Sequence, residues 1–188
     1  MSRLESDYYA FMDFGGKHAR DALTHYVRFF RAGPVLELGS GSGEFLGLLA
    51  EAGLTARGVD IDEGMVLRSR AAGHDVVLAD AVEHLEEAEP ASLGGVFCAH
   101  FLEHLEPADV ARTFAAAARA LQPGGAFVAA VPNAGSLSVL SYDFWRDPTH
   151  VRFYDPALLA FFAGQAGLSV LESGTNPRND PGPPPPLI

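Results

Sequence analysis

A chain of 188 residues with 48% hydrophobic side chains is long enough for one hydrophobic core and too short for two ordinary domains. Thirteen basic against twenty-four acidic side chains give a net charge of −11 at pH 7, which repels nucleic-acid phosphates and anionic lipid. We therefore expect a single domain that does not bind nucleic acid. The N-terminus has no apolar signal region and no run of about eighteen apolar residues occurs, which predicts a cytoplasmic protein without membrane insertion.

Short apolar runs alternate with helical patterns along the chain, as in βαβ units around a parallel sheet. Predicted strands cover 34–38, 55–60, 75–79, 94–99, 126–131 and 168–173. Predicted helices cover 44–52, 63–72, 108–121 and 156–166, and the last has a capping Asp155 and a terminating Gly167. The pattern predicts an α/β fold with a doubly wound, mostly parallel sheet of six or seven strands and helices on both faces.

The two ends of the chain differ in sequence pattern from the α/β region between them. Residues 1–32 are predicted to form a helical cap, with one or two helices at 8–14 and 17–30 lying over the sheet edge. Residues 33–175 would form the α/β domain, and the proline-rich stretch 176–188 is predicted to be a disordered tail. No convincing seventh strand follows Ser173. A partner subunit is one way to cover the resulting edge, so a homodimer is left open.

The most specific motif is VLELGSGSGEFLGLL, at 35–49, where an apolar strand leads into a glycine-dense turn that opens a helix. Glycine lets the backbone turn tightly while a ligand approaches it. Asp60 ends the next predicted strand, twenty-one residues after Gly39, and this spacing suits a carboxylate that accepts from both hydroxyls of a ribose. The alternative is a helix-capping turn beside a solvated acid.

Four segments in succession, ELGSGSG, GVDID, LADA and LQPGGAFVAAVPN, resemble the motifs of class I S-adenosylmethionine-dependent methyltransferases over about 33–173. The resemblance implies a Rossmann-like fold and S-adenosylmethionine as the cofactor. It also implies cofactor contacts: the methionine moiety at Glu37, Gly39, Ser40 and Gly41, the ribose at Asp60, and the adenine at Ile61, Asp80 and Ala81. A nicotinamide enzyme is disfavoured, because the third glycine comes one residue too early for G-x-G-x-x-G.

A histidine cluster follows the fourth predicted strand. In HFLEH, His100, Glu103 and His104 are spaced to share one face of a helix's first turn, and DPTH brings His150 to the same edge of the sheet. A lone histidine is usually structural, but a cluster favours a site. Imidazole and carboxylate ligands together suit Mn²⁺, Zn²⁺ or Fe²⁺ and tolerate Mg²⁺ when waters complete the shell.

The same residues resemble two metal-using groups, the small-RNA 3′-end 2′-O-methyltransferases and the ubiquinone-pathway O-methyltransferases. The resemblance implies that Glu103, His104 and His150 hold a divalent cation such as Mg²⁺ or Mn²⁺, which also binds two neighbouring substrate hydroxyls. His100, where the RNA enzymes have a glutamate, is left open as a fourth ligand or as the general base. His100, His104 and His150 are therefore the predicted catalytic residues.

The segment 133–150, which begins NAGSLSVLSYDFWRD, is too long and too aromatic for a minimal connection and is predicted to be a lid. Its aromatic side chains would stack on a sugar ring and its polar ones would form hydrogen bonds. These are Tyr142, Phe144, Trp145, Arg146 and Asp147. The alternative is a surface loop packed by its own aromatics. Tyr8, Tyr9 and Phe11 are candidates for the opposite wall, although an aromatic cluster on an N-terminal helix more often belongs to the core.

The whole layout, including YYAF, ELGSGSGEFL, VPNAGSLSVL and FWRDPTHVRFYDPALL, resembles bacterial methyltransferases found with glycosyltransferases in polysaccharide and O-antigen synthesis. This implies a metal-assisted O-methyltransferase acting on a hydroxyl of a sugar or oligosaccharide. Two alternatives stay open. The first is an O-methyltransferase of a catechol-like or quinol small molecule, and the second is a non-catalytic subunit that binds S-adenosylmethionine and regulates a partner.

Overall fold

The computed structural model describes residues 17–179, and side chains from 20 to 178. The predicted helix at 8–14, Tyr8, Tyr9, Phe11 and the stretch 180–188 lie outside this range. The strands are β1 (Val35–Leu38), β2 (Ala56–Asp60), β3 (Val76–Leu78), β4 (Leu93–Ala99) and β5 (Leu121–Ala130). The α-helices are α1 (Lys17–Val27), α2 (Glu44–Glu51), α3 (Glu63–Ala71), α4 (Ala81–Glu86), α5 (Pro107–Ala120) and α6 (Pro156–Gln165). Short 3₁₀ turns cover Leu102–His104, Phe144–Arg146 and Pro177–Asn179, and a π-helical turn covers Val139–Asp143.

The described strands form one sheet in the order β3-β2-β1-β4-β5, and every neighbouring pair is parallel. Leu38 lies opposite Val59 on one side and Cys98 on the other, and Ala99 lies opposite Ala130. All carboxyl ends therefore meet at one edge of the sheet. The α/β, Rossmann-like architecture agrees with the sequence prediction.

The prediction of six or seven strands is wrong, because the described part of the sheet has five. The segment 168–173 forms no ladder and is held against α1. Glu172 pairs with Arg28, and the Asn176 side chain donates to the Ala22 carbonyl at 2.9 Å. Leu171 is 93% exposed. The segment therefore adds no sixth strand to the described sheet.

The core lies on both faces of the sheet, because side chains alternate along each strand. Val35 and Phe97 point to one face, where the Phe45 ring of α2 lies 3.8 Å from the Phe97 ring between centroids. Leu36 and Cys98 point to the other face, where α4, α5 and α6 pack. Burial raises the pKa of the Cys98 thiol well above its usual range, as expected for a small buried hydrophobe.

The helix α1 packs on the first of these faces rather than over the sheet edge as predicted. The Tyr26 ring lies 5.5 Å from the Phe97 ring, and Arg20 donates to the Glu44 carbonyl of α2 at 3.2 Å. The helix also ends at Val27, before the predicted end at residue 30. No helix among residues 17–179 combines the length and the apolar character needed to cross a bilayer.

Aspartates begin three of the helices, and two of these aspartates, Asp62 and Asp80, follow strand ends. Asp62 accepts from the Met65 N–H to cap α3, and Asp80 accepts from two N–H groups to cap α4. Asp155 caps α6 with Pro156 at the first position, as predicted, and Gly167 follows the helix at φ +79°. The short α4 was not predicted. Its cap places Asp80 at the carboxyl edge of the sheet, beside the site.

Candidate active site

One groove, with a volume of about 2690 Å³, runs over the carboxyl edge of the sheet. It collects most of the side chains that the sequence singled out, which come from the ends of four strands and from the lid. The predicted residues in its lining are Glu37, Gly39, Ser40, Gly41, Asp60, Ile61, Asp80, Ala81, His100, His104, Phe144, Arg146, Asp147 and His150. Tyr142 and Trp145 are absent from the lining, and Glu103 lies fully buried beneath it.

The glycine turn after β1 is locked to the end of β2. Gly39 and Gly41 have φ of +66° and +52°, a region that favours glycine. The Gly41 N–H donates to Asp60 Oδ2 at 2.8 Å, and the Asp62 N–H donates to Asp60 Oδ1 at 2.8 Å. A Cβ on Gly39 would lie 3.0 Å from the Phe101 ring. Burial raises the pKa of Asp60, and these backbone hydrogen bonds partly offset the rise. Through the same hydrogen bonds, the carboxylate links the turn after β1 to the turn after β2.

Glu37, at the end of β1, is the clearest sign of a cationic ligand in this half of the groove. Its side chain is 5% exposed, and Oε2 has no hydrogen-bond partner. Burial raises the pKa of Glu37 well above its usual range, and the negative charges of Glu44 and Asp60 raise it further. The neighbouring Ser40 Oγ is also buried without a partner. An ammonium group bound here would pair with a carboxylate that is costly to leave alone.

A recess of about 480 Å³ lies beside the ends of β2 and β3, lined in part by Ile61, Leu78 and Asp80. Ile61 and Leu78 are 54% and 45% exposed, so both offer apolar surface to a flat ring. Asp80 Oδ1 is used as the cap of α4, where it accepts from Val82 and Glu83. The predicted contact of Asp80 with an adenine amino group therefore stays a prediction.

Glu103, His104 and His150 form the second half of the site. Each offers one ligand atom, and these atoms all lie within 4.8 Å of one another. The Val151 N–H donates to the Glu103 carbonyl at 2.8 Å, which ties the segment of His150 to the 3₁₀ turn at Leu102–His104. Glu103 Oε2 is buried and has no partner. Burial and the neighbouring His150 lower the pKa of His104 despite the charge of Glu103, which favours a neutral imidazole.

Both imidazoles of this cluster are held through Nδ1. His104 Nδ1 lies 2.8 Å from Thr149 Oγ1, and His150 Nδ1 lies 2.6 Å from the Phe144 carbonyl. The Phe144 ring stacks on His150 with centroids 4.3 Å apart. The roles of Phe144 and Thr149 were missed in the sequence. The D-P-T spacing was the available signal, because an aspartate often accepts from the N–H two residues later.

His100 does not share a helical face with Glu103 and His104, contrary to the prediction. It precedes the 3₁₀ turn in a left-handed conformation, with φ +52°. Its side chain is 67% exposed at the rim of the groove, and Nδ1 lies 3.3 Å from Glu103 Oε1. Partial desolvation lowers the pKa of His100, but the hydrogen bond and charge of Glu103 outweigh it, so the pKa is raised. His100 lies outside the group of three ligand atoms.

The lid segment is packed by its own aromatics. Phe144 is buried, with its ring stacked on Phe153 at 3.7 Å. Trp145 is 64% exposed outside the groove, and its Nε1 donates to the Leu140 carbonyl at 2.8 Å. Tyr142 is 63% exposed under the Arg146 guanidinium, 5.4 Å away. Phe144, Arg146 and Asp147 are therefore the predicted lid residues that line the groove.

The fold and the groove define a Rossmann-like domain that binds a nucleoside cofactor at the carboxyl edge of its sheet. A family model described as "Methyltransferase domain" matches residues 14–173. The chain belongs to this family and is a methyltransferase that uses S-adenosylmethionine as the methyl donor. A comparison with curated proteins gives no match.

Solved structures agree with this assignment. A SAM-dependent methyltransferase from Archaeoglobus fulgidus is 33% identical, with 85% of this chain and 73% of that chain covered and a TM-score of 0.78. The CcbJ methyltransferase from Streptomyces caelestis is 31% identical over 61% of this chain and 49% of that chain, with a TM-score of 0.53. Magnesium protoporphyrin IX methyltransferase from Synechocystis, solved with bound SAM, is 16% identical over 85% of this chain and 73% of that chain. Its TM-score of 0.64 shows the shared fold.

Proposed function

We propose that this methyltransferase methylates a hydroxyl of a sugar or oligosaccharide in polysaccharide biosynthesis, with a divalent cation held by Glu103, His104 and His150. One observation carries the proposal. One ligand atom from each of the three residues lies within 4.8 Å of the others, and Glu103 also has a buried carboxylate oxygen, Oε2, without a partner. This cluster lines or underlies the same groove as the turns that are proposed to hold S-adenosylmethionine.

The residues fit a divalent metal in charge and in protonation. Glu103 contributes one negative charge in a fully buried position, where an unpaired carboxylate is costly. The lowered pKa of His104 favours the neutral form that a metal ligand requires. Two imidazoles and a carboxylate suit Mn²⁺, Fe²⁺ or Zn²⁺, and Mg²⁺ with added waters. When bound, such a metal supplies a Lewis acid that lowers the pKa of an acceptor hydroxyl and orients it.

The carboxylates at the other end of the groove would position the methyl donor. Glu37 would pair with its ammonium group, and Asp60, already fixed by Gly41 and Asp62, would accept from its ribose hydroxyls. These contacts would fix the position of the methyl donor in the groove. Positioning of this kind is a large part of what an enzyme contributes to an in-line displacement.

His100 is the residue we propose as the general base. The two carboxylate oxygens of Glu103 have different surroundings. Oε1 lies 3.3 Å from His100 Nδ1, whereas Oε2 has no partner and would be available to the metal. The Nε2 atom of His100 can then take the acceptor's hydroxyl proton. As it does so, the bond from the acceptor oxygen to the methyl carbon forms and the bond from that carbon to sulfur breaks. The contact of Nδ1 with Glu103 Oε1 orients the ring for this transfer.

The acceptor class rests on charge and on the lid. A net charge of −11 disfavours an RNA acceptor, since a polyanion would be repelled. Arg146 and the Asn133–Gly135 turn line the groove and offer polar groups to a sugar. A catechol or quinol would present a similar pair of hydroxyls, so the assay described next compares these acceptors with sugars. A non-catalytic regulatory role is disfavoured, because it would not require the buried carboxylate of Glu103.

The test is release of S-adenosylhomocysteine with mannose- and rhamnose-containing oligosaccharides, and with catechols and quinols in parallel. Each acceptor is assayed with EDTA and again after Mg²⁺ or Mn²⁺ is restored, using wild type, Glu103→Gln and His104→Ala. His84→Ala, on α4 and outside the groove, is the matched control. We expect turnover on a saccharide that is lost with EDTA, returns with metal and is absent in both site variants. Turnover on saccharide that is indifferent to EDTA would refute the metal, and turnover restricted to catechols or quinols would refute the sugar.

A further inference from the structure

A short hydrogen-bond chain leads from a buried carboxylate to His104. Asp147 is 7% exposed, and its Oδ1 accepts from the Thr149 N–H at 2.8 Å and from the Thr149 hydroxyl at 2.6 Å. The same Thr149 Oγ1 lies 2.8 Å from His104 Nδ1. A threonine hydroxyl has one proton to donate. Because that proton points to Asp147, the oxygen faces His104 as an acceptor, and the proton between them belongs to His104 Nδ1.

The neighbouring imidazole is fixed in the same sense. His150 Nδ1 lies 2.6 Å from the Phe144 carbonyl, which can only accept, so His150 Nδ1 is also the protonated nitrogen. In a neutral imidazole, the other nitrogen then has a free lone pair. Both histidines therefore present a bare Nε2. A metal ligand must be an unprotonated nitrogen, and the hydrogen bond at the other nitrogen decides which one that is.

We propose that Thr149 is a positioning residue, which relays the charge of Asp147 to His104 and fixes His104 as the Nδ1–H tautomer with Nε2 free to bind the metal. The inference rests on the proposed function for the role of the metal. The tautomer itself is a property of the protein without metal, so the two ideas can fail separately.

Thr149→Val isolates the hydroxyl. The Asp147 turn is also closed by the backbone N–H of Thr149, which valine keeps, and valine has nearly the same shape as threonine. What is lost is the hydroxyl oxygen that faces His104 Nδ1, while the Thr149 backbone carbonyl, which also interacts with His104, is kept. Thr149→Ser restores a hydroxyl at the same position. Thr113→Val is the matched control, since Thr113 is a fully buried threonine whose hydroxyl donates to the Asp109 carbonyl at 2.8 Å within α5.

The decisive measurement is ¹⁵N NMR of the histidine side chains in metal-free protein, where the chemical shifts of the two ring nitrogens report which one carries the proton. We expect His104 to be protonated on Nδ1 in wild type, in Thr149→Ser and in Thr113→Val. In Thr149→Val the proton should redistribute toward Nε2. Titration with Mn²⁺ alone, followed by calorimetry, should show affinity about 10- to 100-fold weaker in Thr149→Val and close to wild type in Thr149→Ser.

Two results would overturn the proposal: an unchanged His104 tautomer in folded Thr149→Val, or a Thr149→Ser variant that behaves like valine. Circular dichroism and thermal unfolding establish that each variant is folded. If wild type binds no Mn²⁺ but Thr149→Val still changes the tautomer, the role of Thr149 in fixing His104 is supported and the proposed metal site is refuted.

Discussion

Replacing Glu37 with glutamine should make the free protein more stable and its cofactor binding weaker. The buried Glu37 carboxylate leaves Oε2 without a partner and lies near the charges of Glu44 and Asp60. Glutamine has the same shape without the charge, although its amide would still lack one partner. We therefore take the low end of the cost of a buried unsatisfied group, about 1 kcal/mol. For a chain of this length, that gain corresponds to a rise in Tm of about 2–4 °C at neutral pH.

The sign of the pH dependence follows from the direction of the pKa shift. In the folded state the pKa of Glu37 is raised well above its ordinary value of 4.5, so the folded chain holds this proton to higher pH than the unfolded chain. The stability that Glu37 contributes is fully present below about pH 4.5 and is lost as pH rises through its folded pKa. The advantage of Glu37→Gln should therefore be small near pH 4.5 and grow toward pH 8.

Cofactor affinity should move in the opposite direction. A hydrogen bond to a charged group contributes about 1.5–3 kcal/mol, so loss of the carboxylate should weaken binding of S-adenosylhomocysteine about 10- to 150-fold. Thermal unfolding at pH 4.5 and 8, and calorimetry with S-adenosylhomocysteine, measure the two effects. Glu51→Gln is the control, because Glu51 forms an exposed ion pair with Arg20 at the other end of α2. A variant that is destabilised at pH 8, or that binds as wild type does, would refute the assignment of Glu37.

Two further substitutions test the fold around the site by urea unfolding. Gly39→Ala should lose about 1–2 kcal/mol from the left-handed backbone at φ +66°, and somewhat more from contact with the Phe101 ring. Gly164→Ala, on α6 with open space at its Cβ, should instead be neutral or stabilising, and equal effects at both sites would contradict this reasoning. Tyr154→Phe should cost about 1–3 kcal/mol, because the buried hydroxyl donates to the Leu105 carbonyl at 2.7 Å. The exposed Tyr142→Phe should change stability by less than about 0.5 kcal/mol, and a similar loss in both tyrosine variants would count against the Tyr154 bond.

The sequence predicted the parts of the fold that depend on local patterns. Five apolar runs became parallel strands, and the glycine turn and Asp60 met at the carboxyl edge, because spacing along βαβ units determines what shares that edge. The segment 168–173 looked equally strand-like. Its outcome depended on a neighbouring strand to pair with, which is a tertiary condition that local patterns do not contain. Val170 and Leu171 are instead exposed.

The histidine site shows the same limit at the level of side chains. The sequence identified Glu103, His104 and His150 through their residue types, and the structure brings their ligand atoms within 4.8 Å. It did not identify Thr149, because the contact with His104 joins residues 45 positions apart. It also placed His100 on a helical face, whereas the backbone adopts a left-handed conformation before the turn begins. The residue types of the cluster could be seen in the sequence, but the orientation of their side chains depended on the fold.

Buried polar atoms without partners support the choice of these residues as candidates for a site. Among the described residues, four such side-chain atoms occur, and three of them are Glu37 Oε2, Ser40 Oγ and Glu103 Oε2 at the carboxyl edge. Native proteins satisfy almost all buried polar groups, so a concentration of exceptions needs a physical reason. Two are carboxylate oxygens, one on a residue that lines the groove and one on a residue buried beneath it, where an ammonium group and a metal ion would each supply the missing positive charge. Binding of each ligand would give these buried atoms a partner. Each ligand should therefore raise the free energy of unfolding by more than the same contacts would at a site without unpaired buried atoms.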